Sequence, residues 1–480
     1  MAVLSALVLW GGVMATAQET ETELAVSKNI LAERAQMEQS LDVPKIVEEM
    51  SVPDPVREKV VARARQLMET ELLAMADDIT RHPEIGFEEH RTVKILTDYL
   101  SAHGFRVTMP VAGLATAFTA RWDSPANRDL KPGEHAPVMG VLLEYDALKG
   151  AKGPFHGDQH SAQGPIAIAV ALAMQEYLRD SHTPGTIIGY GTPAEEMMPV
   201  VKTIMYKAHV FDGLDVMVRT HSSPITSRAA PGFGTCCLNI DGVHYIFSGA
   251  PSHQMVPWNG RNALEAAVHF YTGVDALRST IRPEARIQGV ITEGGTVPNV
   301  VPDRAVVHYY IRYPDDVYLQ QVRGMIDDAA RAAALATGTK VKIQEDGVDR
   351  DGISVATLNE VSFAYAKQYG GTNIQPIGAP NGWDESGSVS SQIPGIEVQV
   401  QTSNAPYHTY GMLADATTEV GHRGFVIDAE VMTALLYDYA TKPAYRAAIS
   451  KEFKAIQGEF AAYEKALATA YPVPTVPDPQ

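Results

Sequence analysis

The sequence predicts an α/β protein: a mixed, mostly parallel sheet with helices on both faces, interrupted by an inserted α+β unit of ferredoxin-like type. Three observations carry this. Apolar runs alternate with helix-period segments between residues 138 and 220, the βαβ rhythm of a parallel sheet. Near Pro231-Gly232-Phe233-Gly234 the texture changes to short strands around two helical stretches, a compact unit of roughly a hundred residues. The 480 residues also exceed what one hydrophobic core organises.

Residues 1–17 read as a secretory signal, with an apolar run at 3–13 and Ala15-Thr16-Ala17 as a cleavage pattern before Gln18, although a basic start is missing. This places the protein in the periplasm or outside the cell, and in the cytoplasm if that reading fails. Residues 18–52 form a polar, helix-prone arm. A first part of the main domain spans 53–232, the insertion 233–348, the second part 349–470, and a Pro-rich disordered tail 471–480. Within the first part, helices are expected at 56–81, stopped by Pro83, and at 88–103, stopped by Gly104. Strands at 105–109, 116–122 and 138–143 follow, then a helix at 165–178, a strand at 186–190, a helix at 200–208 and a strand at 215–220. In the insertion, strands are expected at 235–240, 245–248, 285–292, 305–312 and 340–344, with helices at 263–277 and 317–336.

Composition narrows the function. Fifty-seven acidic residues against 39 basic ones give a net charge of −18 with no basic block, which excludes nucleic acid and anionic membrane surfaces as main partners. No stretch is long and apolar enough to span a bilayer. The two cysteines, Cys236 and Cys237, are adjacent and build no disulfide framework.

The chemistry gathers around Phe155-His156-Gly157-Asp158-Gln159-His160-Ser161, between an apolar strand and an Ala-rich helix. Open α/β sheets place their sites in loops at strand ends. Asp158 and His160 are suitable ligand types for zinc or a similar ion, though a solvated loop could carry the same residues. Glu195 and Glu196 follow the strand at 186–190; one carboxylate can bind metal while the other serves as a base, or both can be the acidic first turn of a helix. His221 follows the strand at 215–220, His408 lies in Pro406-Tyr407-His408-Thr409, and His253 lies in the insertion. Two tetrahedral ions need eight coordination positions. A bridging Asp158, a bridging water, His160, His221, His408 and Glu196 fill them and leave Glu195 free as a base.

Several ordered motifs extend this. Residues 81–90 read Arg-His-Pro-Glu-Ile-Gly-Phe-Glu-Glu-His; Glu144-Tyr145-Asp146-Ala147-Leu148, Pro193-Ala194-Glu195-Glu196, the stretch from Ser248 to His253 with Pro257, Gly260, Asn262 and Ala263, and residues 294–303 follow at intervals. With these, the chain from about residue 80 to 440 resembles the dinuclear-metal peptidases and amidohydrolases: aminoacylase, carboxypeptidase G, hippurate hydrolase and the auxin-conjugate hydrolases. The likeness is greatest to the aminobenzoyl-glutamate hydrolase branch. The resemblance implies a phosphorylase/hydrolase-like catalytic domain and a lid that makes a homodimer. It implies Glu195 as general base and acid, and Asp158, His160, Glu196, His221 and His408 as ligands of two divalent ions, zinc first with manganese or cobalt as alternatives. His253 and Asn299 would hold the substrate carboxylate or oxyanion, often across the dimer. Three positions depart from the branch: Asp158 stands for its Cys, Lys149 for a Pro, and Glu385 for an Asp. An oxygen ligand at 158 shifts metal preference toward manganese.

The expected activity is hydrolysis of the amide of an N-acyl amino acid, an aroyl-amino acid or a dipeptide, a small-molecule substrate. A peptidase of short peptides and a catalytically dead binding protein on the same fold are the alternatives. A serine hydrolase is disfavoured because no G-x-S-x-G elbow occurs.

Overall fold

The computed structural model describes residues 21–22, 25–26, 40–235, 238–384 and 386–474. The signal segment 1–17, Cys236, Cys237, Glu385 and the end of the tail, 475–480, lie outside the described residues.

The chain opens with α1 (Val43–Ser51), which buries Met50. Asp54 caps α2 (Pro55–Leu67), accepting from the backbone N–H groups of Val56 and Arg57. The expected single helix continues through one π-turn, Met68–Leu72, into α3 (Leu73–Arg81) and stops before Pro83. After α4 (His90–Ala102) come β1 (Arg106–Thr108), β2 (Phe118–Asp123), β3 (Val138–Glu144), α5 (His160–Asp180), β4 (Thr186–Thr192), α6 (Val201–Lys207) and β5 (Val216–Thr220). The insertion contains β6 (Asn239–Ser248), α7 (Ala263–Leu277), β7 (Arg286–Glu293), β8 (Arg304–Tyr313), α8 (Asp316–Thr337) and β9 (Lys340–Asp349). The chain returns through α9 (Ala356–Gln368), β10 (Gly395–Val398), α10 (Tyr410–Asp415), α11 (Glu419–Thr441) and α12 (Pro443–Ala470).

The main sheet runs β1-β2-β4-β3-β5-β10. β4, β3, β5 and β10 are mutually parallel, and β2 and β1 add an antiparallel edge. Both faces are buried. Met139, Val141, Leu143, Ile187 and Val218 face the core under α2, α5 and α11, while Leu142, Ile188, Tyr190 and Met217 face a second one with Phe211 and Trp383. This two-sided burial is why the strands read as continuous apolar runs. The smaller sheet is antiparallel in the order β7-β8-β6-β9. Its one covered face packs Val243, Tyr245, Phe247, Val307 and Tyr309 against Phe270 of α7 and Val322 and Ile326 of α8. At the neck, where the chain leaves and re-enters the main domain, Gly232–Gly234 pairs antiparallel with Gly352–Ser354.

Four expectations need correction. The helix expected from 165 begins at His160. Every residue from His160 to Gln175 is buried, and that packing sets the start ahead of Pro165. The strands expected at 235–240 and 245–248 are one strand, β6. The strand runs unbroken through Asp241, which is buried and paired with Arg323 and Arg350, and Gly242, which lies against the Tyr310 ring. β9 continues past residue 344 to Asp349 through a bulge. The tail expected from 471 begins with a buried residue: Tyr471 packs against Tyr313 and Tyr318 in the core of the insertion.

Arg57 fastens α1 to the main domain. Its guanidinium is fully buried and donates to the carbonyls of Met50 (2.6 Å) and Val52 (3.1 Å) and to the Tyr365 hydroxyl (2.7 Å), beside buried Asp438 at 3.5 Å. Removing one partner of a buried ion pair costs about 3–5 kcal/mol. Arg57→Ala is expected to lose at least the lower figure in urea unfolding, with the midpoint moving and the slope unchanged.

Candidate active site

Four loops leave the carboxyl ends of the four parallel strands and meet. β3 leads to Asp146 and on to Asp158 and His160, β4 to Glu195 and Glu196, β5 to His221, and β10 to His408. This is the crevice where open α/β sheets bind ligands.

Asp158 is the common member. Asp158, His160 and His221 offer ligand atoms within 4.8 Å of one another, and so do Asp158, Glu196 and His408. A third such group, His160, Glu195 and Glu196, places the second carboxylate of the pair beside the first two. The His160 and His221 rings meet edge to face, centroids 5.5 Å apart. His408 lies 2.7 Å from Asp158 through Nε2, and its backbone N–H donates to the same carboxylate at 3.0 Å. Glu195 comes within 3.8 Å of His160 Nε2.

Burial would raise the Asp158 carboxyl, but the His408 hydrogen bond and the nearby His221 and His160 hold it at about 2. Glu196 is pushed up to about 7, by burial first, with His160 countering and Asp158 and Asp146 adding to the rise. His156, next to the cluster, is held at about 3 by burial and by His160, and is neutral.

The donors fit divalent ions. His160 Nε2 is buried without a hydrogen-bonding partner, a desolvated nitrogen 3.8 Å from the Glu195 carboxylate. Its other nitrogen is spoken for: Nδ1 lies 3.1 Å from Asp146 Oδ1, the arrangement that fixes the tautomer of a ligating imidazole. Asp146 Oδ2 also accepts the backbone N–H of Glu196 at 3.0 Å, so one buried carboxylate sets two prospective ligands.

The backbone is strained where the site is built. Gln159, Ala194 and His408 have φ of 55°, 53° and 59°, the left-handed region. Each such residue costs about 1–2 kcal/mol, and such strain persists only where surrounding packing fixes it. For Ala194 the fixing groups are visible. Glu89, fully buried, accepts the Ala194 N–H at 2.8 Å and the Thr116 hydroxyl at 2.9 Å. Gly86 lies so close that a Cβ there would sit 2.7 Å from the Ala194 Cβ. Ala147 N donates to Glu84 O at 2.8 Å, tying the same segment to the Asp146 loop.

The structure thus brings together Asp158, His160, Glu195, Glu196, His221 and His408. His253 and Asn299 belong to the exposed end of the insertion, where Gln254 N donates to Asn299 O at 3.0 Å and His253 bridges Val300. Sequence reasoning gave no role to Asp146, Glu89 or Gly86. The signal was present in the motifs at 81–90 and 144–148, but a supporting carboxylate announces itself only through what it touches.

Asp146→Asn is expected to weaken divalent-metal affinity by about 10–100-fold, read by competition against a chromophoric chelator, with little change in circular dichroism. Gly86→Ala is expected to displace Ala194 and lower kcat by about 100-fold, the cost of roughly 1 Å of misplacement, while metal content stays at the wild-type level.

Residues 238–337 match the peptidase dimerisation domain of the M20 family. The chain is 31% identical over 392 residues to the Xaa-Arg dipeptidase of Mus musculus, covering 79% of this chain and 88% of that one. It is 28% identical over 433 residues to a p-aminobenzoyl-glutamate hydrolase chain of Escherichia coli, covering 75% and 87%. In fold it is similar to a dinuclear metal binding peptidase of the M20 family from Bacillus subtilis, with a TM-score of 0.54 at 18% identity over 78% of this chain and 99% of that one. Fold and sequence agree, and the chain belongs to the M20 peptidase family.

Proposed function

We propose that this chain is a metal-dependent amidohydrolase that cleaves the amide bond of an N-acyl amino acid, an aroyl-amino acid or a dipeptide and releases the free amino acid. The observation that carries it is Asp158, shared between two three-residue ligand groups with Glu195 beside them. The curated relatives point the same way, since they are named as a dipeptidase, an aminobenzoyl-glutamate hydrolase and an N-acetylcysteine deacetylase. All three names describe attack on a C–N amide next to an amino acid.

Asp158, His160 and His221 would hold one divalent ion, and Asp158, Glu196 and His408 a second. Bound there, the ions supply Lewis acidity toward an amide carbonyl and toward water. Zinc suits the imidazoles, and the carboxylate at 158 leaves manganese or cobalt open as alternatives. Glu195 takes a proton from the attacking water and delivers it to the leaving nitrogen. Its carboxylate is thirteen per cent exposed, so the proton exchanges with few competing waters. His160 is kept in place for this by Asp146. His253 and Asn299 would bind the substrate carboxylate, supplied by the partner of a homodimer built through the insertion. Export to the periplasm or beyond is part of the proposal and rests on residues 1–17.

Release of free amino acid from a panel of N-acyl amino acids, aroyl-glutamates and dipeptides tests it. Hydrolysis of at least one member is expected, abolished by chelator and restored by zinc or manganese. Glu195→Gln is expected to lose about 10²–10⁴-fold in kcat with full metal content. Undiminished turnover in that variant would sink the assigned role, and hydrolysis indifferent to chelator would sink the reaction class.

A further inference from the structure

A second cluster of ligand-type side chains lies on the insertion, outside the site above. His244 of β6, His308 of β8 and Asp346 of β9 offer ligand atoms within 4.8 Å of one another. They come from three adjacent strands: His308 stands directly across from His244 in the β8–β6 ladder, and Gln344 stands across from His244 on the other side. α7 and α8 cover the face bearing Val243, Tyr245, Val307 and Tyr309, so by strand alternation His244 and His308 project from the opposite face.

Asp346 reaches them through an irregularity. The β9–β6 register shifts between Glu345 and Gly347, leaving Asp346 as the extra, unpaired residue of a bulge. Bulges re-aim a side chain at a chosen point of a sheet. The bulge is backed by the main domain, since a Cβ on Gly347 would lie 2.4 Å from Met198 Sδ.

The spacing fits a cation. Asp346 Oδ2 lies 3.1 Å from His308 Nε2 and 3.5 Å from His244 Nε2. Two ligands of one tetrahedral ion at zinc–nitrogen and zinc–oxygen lengths are separated by about 3.3 Å. His308 Nε2 is a buried nitrogen without a well-formed hydrogen bond. The two imidazoles are stacked, centroids 4.0 Å apart and 15° from parallel, with both Nε2 atoms near the same carboxylate oxygen, so one ring must turn about its side-chain torsion to aim its in-plane lone pair at a shared ion. Tyr310 closes the flank, its ring edge-on to His308 at 4.9 Å.

We propose that His244, His308 and Asp346 form a further metal site on the insertion, taking a divalent ion of the zinc class through two imidazole nitrogens and one carboxylate oxygen. Two nitrogens and one oxygen suit zinc, copper or nickel far better than calcium or magnesium. An ion there ties three neighbouring strands together beside the segment that follows Glu195 and Glu196.

The test is metal stoichiometry. The full-length chain is stripped with chelator, reloaded with excess Zn²⁺, desalted, and measured for zinc per chain. His308→Ala, His244→Gln and Asp346→Asn are each expected to hold one equivalent fewer than wild type, with unchanged circular dichroism. Because the readout is a difference of one, it does not depend on how many ions the Asp158 centre takes. Co²⁺ loading gives a second readout: the difference spectrum between wild type and His308→Ala is expected to show the visible bands of a four-coordinate ion. Equal zinc in wild type and all three variants, or a featureless cobalt difference, would overturn the site and leave a His–Asp–His ion-paired cluster in its place.

Discussion

The site depends on one carboxylate being wanted in two places. Asp158 is 5% exposed, and a buried carboxylate survives as an anion only where positive charge or donors meet it. Three chain segments converge on it: its own helix start, the end of β5 and the loop before α10. Each arrives with a constraint. The chain turns left-handed at Gln159 to enter α5 at His160, and turns left-handed again at His408, so that one residue presents both a ring and an N–H to the same carboxylate. Strain at both ends of one interaction is tolerable because the interaction is buried and charge-assisted.

Beneath the loops, the strand ends are held by paired charges rather than by apolar packing alone. Arg219 of β5 is 2% exposed and reaches Glu144 of β3 at 2.9 Å and Glu397 of β10 at 2.8 Å. Lys202 of α6 meets Glu144 at 2.5 Å. A buried ion pair seldom gains net stability over apolar residues of equal volume. What this network supplies is register: it fixes three parallel strands at the end where their loops must meet. Since β3, β5 and β10 carry Asp146, His221 and His408, a slip of one strand would separate the two ligand groups.

The legibility of this protein in its sequence followed the range of each interaction. β3, β4 and β5 were plain because both faces of each are buried, and a two-sided strand has no polar alternation to confuse. Asp158, His160, Glu195, Glu196 and His221 stood out by lying in loops at strand ends, each open to an ordinary structural reading; His408 carried no local signal, and the set came together only through the ordered motifs of the resemblance. Asp146 and Glu89 were not assigned, because what they do lies in hydrogen bonds to residues 14 and 105 positions away. The continuity of β6 was hidden for a related reason: buried Asp241 at its middle is matched by Arg323 and Arg350, 82 and 109 residues distant. Asp346 shows the limit most sharply, since a bulge is invisible until two strands are laid side by side.

The insertion is joined to the main domain by more than its two-stranded neck. α12 crosses both cores: Tyr445, Ile449, Phe453 and Ile456 pack under the main sheet, while Tyr463 and Leu467 pack into the insertion with Tyr471. A rigid swing of the insertion about Gly232–Gly234 and Gly352–Ser354 must therefore either carry the end of α12 along or pull those three side chains out. Burying each such side chain is worth about 1.5–3 kcal/mol, so peeling all three costs several kcal/mol, more than a modest substrate's differential binding returns. Carrying the helix along costs only the bending of a 28-residue element, which long helices accommodate by gentle curvature. Any closure of the insertion over the Asp158 centre is thus a flexure of α12 between Ile456 and Tyr463, with the neck as its pivot and both cores kept whole.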